Sequence, residues 1–235
     1  MSEQLRKRPT IIKDYLSAET DPDTIKEGLI KESQALINGN FLKHTRRLMK
    51  IRQPFTLDHS ERVGAVFGPM CEEFYDLPSF VGEVCGRVHD AGKLERRIEP
   101  LILRNGPLSA EEMELVKEHV LYSWKFLHDE FPNIAQVVRY HHSSYQVSPY
   151  PGPQEQDPNF LELQVGLGMV DKLVARTEFR PELTEEQRIE RRTAGIEERA
   201  IDYLRQQFLN VPMVEDCIDY LRGVMVRLIP CYDHP

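Results

Sequence analysis

The sequence predicts an all-α protein. Almost every periodic segment repeats its apolar residues at helical spacing, and the alternating pattern of strands is scarce. Helix boundary signals agree, since Asp21-Pro22 is typical of a helix start and Ser109-Ala110-Glu111-Glu112 is typical of a capping box. A chain of 235 residues is also long enough to bury one good hydrophobic core. We therefore expect one helical bundle.

The elements follow one another with proline and glycine residues between them. The helix that follows the capping box is expected to turn one stripe of residues inward, namely Leu115, His119, Tyr122 and Phe126. Residues 143–159 are rich in Ser, Pro, Tyr and Gln, and they predict a long loop of the kind that carries function. The predicted helices cover about residues 22–36, 41–52, 57–75, 160–177, 184–208 and 212–229. Three further helices are expected in between: one after Pro78 that ends near His89, one that starts at the capping box, and a short one after Pro132.

The N-terminal part is expected to be an appendage. Residues 1–52 are too short for a comfortable core of their own, so we expect an N-terminal helical extension followed by a main domain over 53–235. The helix over 41–52 has a basic face. Such a face is typical of a solvated surface, and a docking face for a phosphate or a partner is the alternative. Its basic residues are Lys43, His44, Arg46, Arg47, Lys50 and Arg52.

Composition limits the classes of function. A net charge of −8 and a pI of about 5.6 argue against general nucleic-acid binding, which needs a basic surface. No signal peptide is expected, and no apolar run approaches the roughly 18 residues of a membrane span. The cysteines lack the spacing of a zinc site, so we expect reduced thiols in a cytoplasmic protein. They are Cys71, Cys85, Cys217 and Cys231.

A His-Asp pair near the end of a predicted helix is the starting point for function. His89 and Asp90 point about 100° apart on a helix, so both can border one pocket. Imidazole nitrogen and carboxylate oxygen together suit Zn, Mn, Fe or Ni. Lys93 is close enough to offer a positive charge to a phosphate. Taken alone, the pair is more typical of a hydrogen-bonded surface pair. A metal site is indicated only if other parts of the chain supply further ligands.

Five predicted helices carry metal-type ligands on the inward face or at its end. Burying so many unpaired imidazoles and carboxylates would be costly unless one partner satisfies them together, and a metal centre does so. The set exceeds the needs of one tetrahedral ion, so we expect two ions that share Asp90. The candidate ligands are His59, His89, Asp90, His119, His141, His142 and Asp171.

This pattern resembles the HD superfamily of metal-dependent phosphohydrolases, and within it the HD-GYP branch. The resemblance covers about residues 55–185 and implies an HD-domain helical bundle with a short N-terminal helical extension. The matching segments are His59-Ser60-Glu61-Arg62-Val63, the HD-x-G-K motif at 89–93, Leu101-Ile102-Leu103, Gly106-Pro107-Leu108-Ser109, His119, His141-His142, Asp171 and Arg180-Pro181.

The resemblance also implies how the site works. A hydroxide that bridges the two ions would attack phosphorus, and Lys93 would neutralise a phosphate oxygen, so Asp90 and Lys93 are the expected catalytic residues. Fe or Mn is the first expectation for the ions, and Zn, Co or Ni accept the same ligands. One ion would bind His59, His89, Asp90 and Asp171, and the other Asp90, His119, His141 and His142.

The loop that follows His142 departs from the branch signature H-H-E-x-x-D-G-x-G-Y-P. Tyr145 and Tyr150 can still stack on a base, so both are expected to bind substrate. The carboxylates that the signature supplies are absent, and a proline stands at a glycine position. The departing residues are Ser143, Gln146, Val147 and Pro149.

The leading hypothesis is a metal-dependent phosphohydrolase or phosphodiesterase of the HD-GYP type. Its substrate would be a phosphate ester or a cyclic dinucleotide, with cyclic di-GMP the first to test and weak turnover expected because of the altered loop. The same enzyme with a nucleotide or small phosphate ester as its substrate is a second hypothesis. The rival is a catalytically weak or inactive module that binds a cyclic dinucleotide or a protein. A signalling partner would contact the 143–159 loop or the N-terminal helices.

Overall fold

The computed structural model describes residues 21–104, 106–143, 150, 157–177, 196–208 and 214–228. Every regular element in these ranges is an α-helix or a 3₁₀ turn, and no β-strand occurs among them. The prediction of an all-α fold is confirmed. No helix in the described part of the chain is long and apolar enough to cross a membrane.

The helices agree with most of the predicted ranges. Two 3₁₀ turns, Ala91–Leu94 and Pro158–Phe160, precede α5 and α9. Residues 178–195, in which the helix predicted over 184–208 begins, lie outside the described residues. The α-helices are α1 (Pro22–Asn38), α2 (Phe41–Arg52), α3 (Pro54–Phe74), α4 (Ser79–Val88), α5 (Glu99–Leu103), α6 (Ala110–Lys117), α7 (His119–Leu127), α8 (Pro132–Arg139), α9 (Leu161–Thr177), α10 (Ile196–Gln207) and α11 (Val214–Leu228).

The most extensive helix contact of the described structure joins α3 and α4. A Cβ atom on Gly86 would lie 2.4 Å from the backbone nitrogen of Gly64, and one on Gly82 would lie 2.5 Å from the carbonyl oxygen of Phe67. These distances exclude any side chain, so the two backbones are in direct contact. The end of α4, where His89 lies, is thereby held close to α3.

Helix α9 lies in the interior and packs against α3, α8 and α10. A Cβ atom on Gly166 would lie 2.2 Å from the hydroxyl oxygen of Tyr75, so α9 also approaches the end of α3 closely. Leu167 and Val170 are fully buried in the hydrophobic core. Asp171 is on the same helix and only 6% exposed. A carboxylate at that depth requires polar or charged partners.

Helix α1 belongs to the same core, because Leu29 is fully buried and the helix packs against α4 and α8. The Glu32 carboxylate accepts a hydrogen bond from the backbone N–H of Ile134 at 3.0 Å. It therefore satisfies a free N–H group in the first turn of α8 and complements the helix dipole. The division into an extension over 1–52 and a domain over 53–235 stays a prediction.

The segment after the capping box differs from its prediction. The box itself is confirmed, since the Ser109 hydroxyl accepts from the Glu112 N–H at 3.2 Å and Glu112 accepts from the Ser109 N–H at 2.7 Å. The chain then forms two helices, because the Glu118 N–H bonds to a carbonyl three residues earlier and tightens the turn. The buried face of α7 also differs from the prediction. Leu127 is fully buried and Phe126 is 42% exposed, so the inward prediction for Phe126 was wrong.

The described cysteines are free and buried, as expected for reduced thiols. Burial raises the pKa of Cys85 and of Cys217 to about 12, so both thiols are protonated at neutral pH. Cys71 is buried in the same core. Cys231 lies outside the described residues.

We predict opposite effects for two Gly→Ala substitutions. In Gly86→Ala the methyl group would meet the backbone of α3, so the free energy of unfolding should fall by about 1–3 kcal/mol. In Gly223→Ala nothing lies within 4 Å of the new Cβ, and better helix propensity should raise stability by about 0.5–1 kcal/mol. Urea unfolding followed by circular dichroism measures both. Equal shifts for the two variants would contradict the close backbone contact.

Candidate metal centre

The His-Asp pair lies where α4 ends. The His89 N–H still bonds to the carbonyl of Cys85 at 3.0 Å, and Asp90 then leaves helical geometry at φ −97° and ψ 10°. This is the sparsely populated bridge region of the backbone. The Lys93 N–H bonds to the Asp90 carbonyl at 2.9 Å and starts the 3₁₀ turn. The turn therefore carries both side chains into the interior, where His89 and Asp90 are buried.

Three buried histidines share one backbone arrangement, in which Nδ1 lies near the carbonyl oxygen three residues earlier. A carbonyl can only accept, so Nδ1 carries a proton and donates it. In the neutral ring the lone pair is then on Nε2, which is how metal-binding histidines are commonly oriented. The pairs are His89 with Gly86 at 2.7 Å, His119 with Val116 at 2.8 Å, and His141 with Val138 at 2.6 Å.

One group of ligand atoms comes from α3, the end of α4 and α9. His59 Nε2 lies 2.9 Å from Asp171 Oδ1, and His89 Nε2 lies 3.7 Å from the same oxygen. Burial alone would raise the pKa of Asp171, but the hydrogen bond with His59 and the nearby imidazole of His89 hold it well below its ordinary value. The three ligand atoms lie within 4.8 Å of one another and could hold one metal ion. We call His59, His89 and Asp171 the first ligand group.

A second ligand group consists of His119, at the start of α7, and of His141 and His142, just beyond α8. Their ligand atoms also lie within 4.8 Å of one another. Burial lowers the pKa of His141 to about 3 and that of His142 well below its ordinary value. Both imidazoles are therefore neutral at neutral pH, which is the form that binds a metal. This group could hold an ion in the same way.

Asp90 lies between the two groups. Its Oδ1 is 3.2 Å from His119 Nε2, whereas its Oδ2 is 3.4 Å from His89 Nε2 and 3.7 Å from His59 Nε2. Asp90, His89 and His141 form a further set of ligand atoms within 4.8 Å of one another. One carboxylate oxygen thus faces each group, which is the arrangement of a ligand that can be shared.

Four buried ligand atoms make no hydrogen bond within the described structure, namely Nε2 of His89, His119 and His141, and Oδ1 of Asp90. His119 Nε2 and Asp90 Oδ1 lie 3.2 Å apart, so one cation could bind both atoms. Burial would raise the pKa of Asp90, yet the imidazole of His89 and the ammonium of Lys93 hold it well below its ordinary value. An ionised carboxylate among imidazoles is a suitable donor set for a divalent metal ion, so these residues fit one.

The structure describes two of the predicted substrate residues, Lys93 and Tyr150. Lys93 Nζ lies 2.5 Å from Asp90 Oδ2, and its side chain is 18% exposed. The ring of Tyr150 lies 4.5 Å from that of His142, with Lys117 Nζ 5.6 Å from its centroid. Tyr150 is therefore beside the second ligand group.

Tyr145 lies outside the described residues. All seven predicted ligands come together in the interior, whereas the roles assigned to them and to the substrate residues stay predictions.

Two buried polar residues that hold the turn were not predicted from the sequence pattern. Gln53, between α2 and α3, donates from Nε2 to the Lys93 carbonyl at 2.7 Å. Ser123 of α7 contacts the backbone on both sides of Asp90. The helical spacing of four residues from His119 to Ser123 was the available signal, because it places the serine on the same face as a ligand.

The fold and the site together define an all-α protein with a buried histidine–carboxylate cluster suited to metal ions. No protein-family model matches the chain. Over 141 residues, 57% of this chain, it is 30% identical to a cyclic di-GMP phosphodiesterase from Thermotoga maritima. The chain covers 38% of the length of that relative. Part of the chain is thus similar to a phosphodiesterase.

We predict that Asp90→Asn loses metal affinity by 10-fold or more, since the amide keeps the shape but removes the charge that both groups face. Metal content after loading with Mn²⁺ and dialysis, measured by mass spectrometry, tests this. His128→Ala is the matched control, because His128 lies outside both groups and its side chain is 37% exposed. Wild-type metal content in Asp90→Asn would rule out a shared position for Asp90.

Proposed function

We propose that the chain is a metal-dependent phosphodiesterase of the HD superfamily and of the HD-GYP type. The observation that carries the proposal is the pair of buried ligand groups with Asp90 between them. Such a cluster has no evident structural use, because burying so many imidazoles and carboxylates together destabilises the fold. The partial similarity to a protein named as a phosphodiesterase supports the same reaction class.

The proposed centre holds two divalent ions that share Asp90. The distances within each ligand group support this count, since each group supplies three ligand atoms and Asp90 supplies one oxygen to each side. Fe or Mn is the first proposal, and Zn, Co or Ni suit the same nitrogen and oxygen donors. One ion would be held by His59, His89, Asp90 and Asp171, and the other by Asp90, His119, His141 and His142.

Bound ions of this kind supply a nucleophile from water at neutral pH and stabilise negative charge on a phosphate. The chain's own contribution begins with Asp90, which keeps a negative charge in the interior between the two groups. Lys93 places an ammonium beside that carboxylate and remains partly exposed, so it can also approach a phosphate oxygen of the substrate. Its fixed charge would be most favourable when negative charge on the phosphate grows.

The proposed substrate is a phosphodiester, with a cyclic dinucleotide such as cyclic di-GMP the first to test. The name of the Thermotoga relative and the position of Tyr150 beside His142 support this class. A tyrosine ring can stack on a base, a contact worth about 1–3 kcal/mol. Tyr145 is proposed for the same role from the sequence. The altered residues after His142 argue for weak turnover of cyclic di-GMP itself.

A catalytically weak or inactive module is the second candidate, and the altered loop favours it. Such a module would retain the metal while it binds a cyclic dinucleotide or a protein. Its partner would contact the 143–159 loop or the N-terminal helices. The exposed side of α2 is consistent with a partner, since it combines basic residues with Leu48 at 44% and Ile51 at 70% exposure.

We predict that the Mn²⁺- or Fe²⁺-loaded protein hydrolyses bis(p-nitrophenyl) phosphate and has weak or no activity on cyclic di-GMP. Metal attack needs only a reachable phosphate, whereas recognition of the bases needs groups that the loop has lost. Release of p-nitrophenol and chromatography of the dinucleotide measure the two activities, with Asp90→Asn as the inactive control. Binding of cyclic di-GMP without hydrolysis of either substrate would favour the inactive module.

We predict that Lys93→Ala keeps its metal and loses turnover by about 10²-fold, as for other single electrostatic stabilisers. Lys26→Ala is the matched control, because Lys26 also pairs with an aspartate but on the surface of α1. Steady-state kinetics and metal analysis on the same samples distinguish a role of Lys93 in turnover from a role in metal binding. Loss of metal from Lys93→Ala would instead make Lys93 a counter-ion that keeps Asp90 ionised.

A further inference from the structure

Ser123 forms a bridge across the turn that carries Asp90. Its side chain is fully buried. The hydroxyl donates to the carbonyl oxygen of His89 at 2.7 Å and accepts from the N–H of Gly92 at 2.8 Å. These two backbone groups lie on either side of Asp90 and Ala91. A single hydroxyl on α7 therefore closes a ring around the residue that faces both ligand groups.

The backbone at Asp90 needs such support. The His89 carbonyl is at the end of α4, where the last carbonyls lack partners within the helix. Asp90 itself leaves helical geometry at φ −97° and ψ 10°. The Ser123 hydroxyl satisfies one group before this conformation and one group after it. Ser123 therefore holds the backbone on both sides of Asp90.

The turn also rests directly on the backbone of α7. A Cβ atom on Gly92 would lie 2.0 Å from the carbonyl oxygen of His119 and 2.6 Å from the backbone nitrogen of Ser123. Glycine at this position lets the turn approach close enough for the serine bridge. His119 is one helical turn before Ser123 on the same helix. The bridge thus sets the position of Asp90 relative to His119, whose Nε2 is 3.2 Å from Asp90 Oδ1.

We propose that Ser123 is the positioning residue that holds Asp90 between the two ligand groups. The inference rests on the metal centre proposed above. A hydroxyl suits the position because it is small and both donates and accepts. Alanine provides neither function, and a thiol fills the space with a much weaker donor and acceptor. Ser123 touches neither substrate nor metal in this role and acts through Asp90.

The first measurement does not depend on metal. Hydrogen exchange of the Gly92 amide, followed by NMR in the chelator-treated protein, reports the bond from Gly92 to Ser123 directly. In Ser123→Ala this amide should exchange about 10-fold faster or more, whereas the Lys93 amide, which bonds to the Asp90 carbonyl, should change less. An unchanged exchange rate at Gly92 would overturn the bridge.

The second measurement is Mn²⁺ affinity by equilibrium dialysis. Ser123→Ala should bind Mn²⁺ about 10- to 100-fold more weakly than the wild type, the usual effect of removing a group that orients a metal ligand. Ser33→Ala is the matched control, because Ser33 is also a fully buried serine and its hydroxyl has no hydrogen-bond partner in the described structure. It should keep wild-type affinity.

The outcomes separate the two proposals. A wild-type protein that binds no divalent ion rejects the metal centre and this inference with it. A wild-type protein that binds Mn²⁺, with equal affinity in Ser123→Ala, rejects the positioning role alone. Equal losses in Ser123→Ala and Ser33→Ala also reject it, because the effect would then be general to buried serines. If Ser123→Ala loses its helical circular dichroism, Ser123→Cys takes its place and should show the same losses to a smaller degree.

Discussion

The backbone contact between α3 and α4 is the constraint on which the site depends. Gly64 and Gly86 let the two helices meet without intervening side chains. His59 on α3 and His89 at the end of α4 are consequently close, with ring centroids 5.4 Å apart. A larger residue at Gly64 or Gly86 would push α3 and α4 apart. His59 and His89 would then move away from each other, although neither ligand had been substituted. Stability and the candidate chemistry therefore depend on the same small residues.

The interior of this bundle is unusual because polar groups converge where a helical bundle ordinarily packs apolar side chains. Backbone carbonyls fix the orientation of three imidazoles. Nε2 of His89 and Nε2 of His119 lie 3.4 and 3.2 Å from oxygens of Asp90. The arrangement is electrostatically unfavourable without a cation. Burial is the main cause of the low pKa of His141. The imidazole of His141 therefore stays neutral, and protonation does not relieve the unfavourable electrostatics.

Support for the ligands comes from helices that are distant in the chain. Glu32 of α1 caps α8, which leads to His141 and His142. Gln53, at the junction of α2 and α3, holds the carbonyl of Lys93 from the other side of the turn. The N-terminal helices thus contribute to the geometry of the centre as well as to the core. Helix α2 packs against α3 and against the 3₁₀ turn Ala91–Leu94. This packing and the hydrogen bond of Gln53 connect α2 to the turn that carries Asp90.

The sequence by itself determined the class of fold and the kind of ligand. Helical periodicity, the capping box at Ser109 and the chemistry of His89 and Asp90 are local properties, so they can be recognised in a linear chain. The break between α6 and α7 was not predictable in this way, because it follows from one hydrogen bond at Glu118. On α7, Leu127 is buried in place of Phe126.

Only the tertiary structure decided how the ligands divide in space. His59 and Asp171 are 112 residues apart and meet at 2.9 Å, a pairing that no local pattern records. Asp90 lies between the groups because backbone contacts with α3 and hydrogen bonds from α7 fix the end of α4. Periodicity shows which side of a helix is buried, whereas distances between buried side chains depend on how closely the helices approach. In this protein that approach is set by glycines whose role appears only when the facing backbone is known.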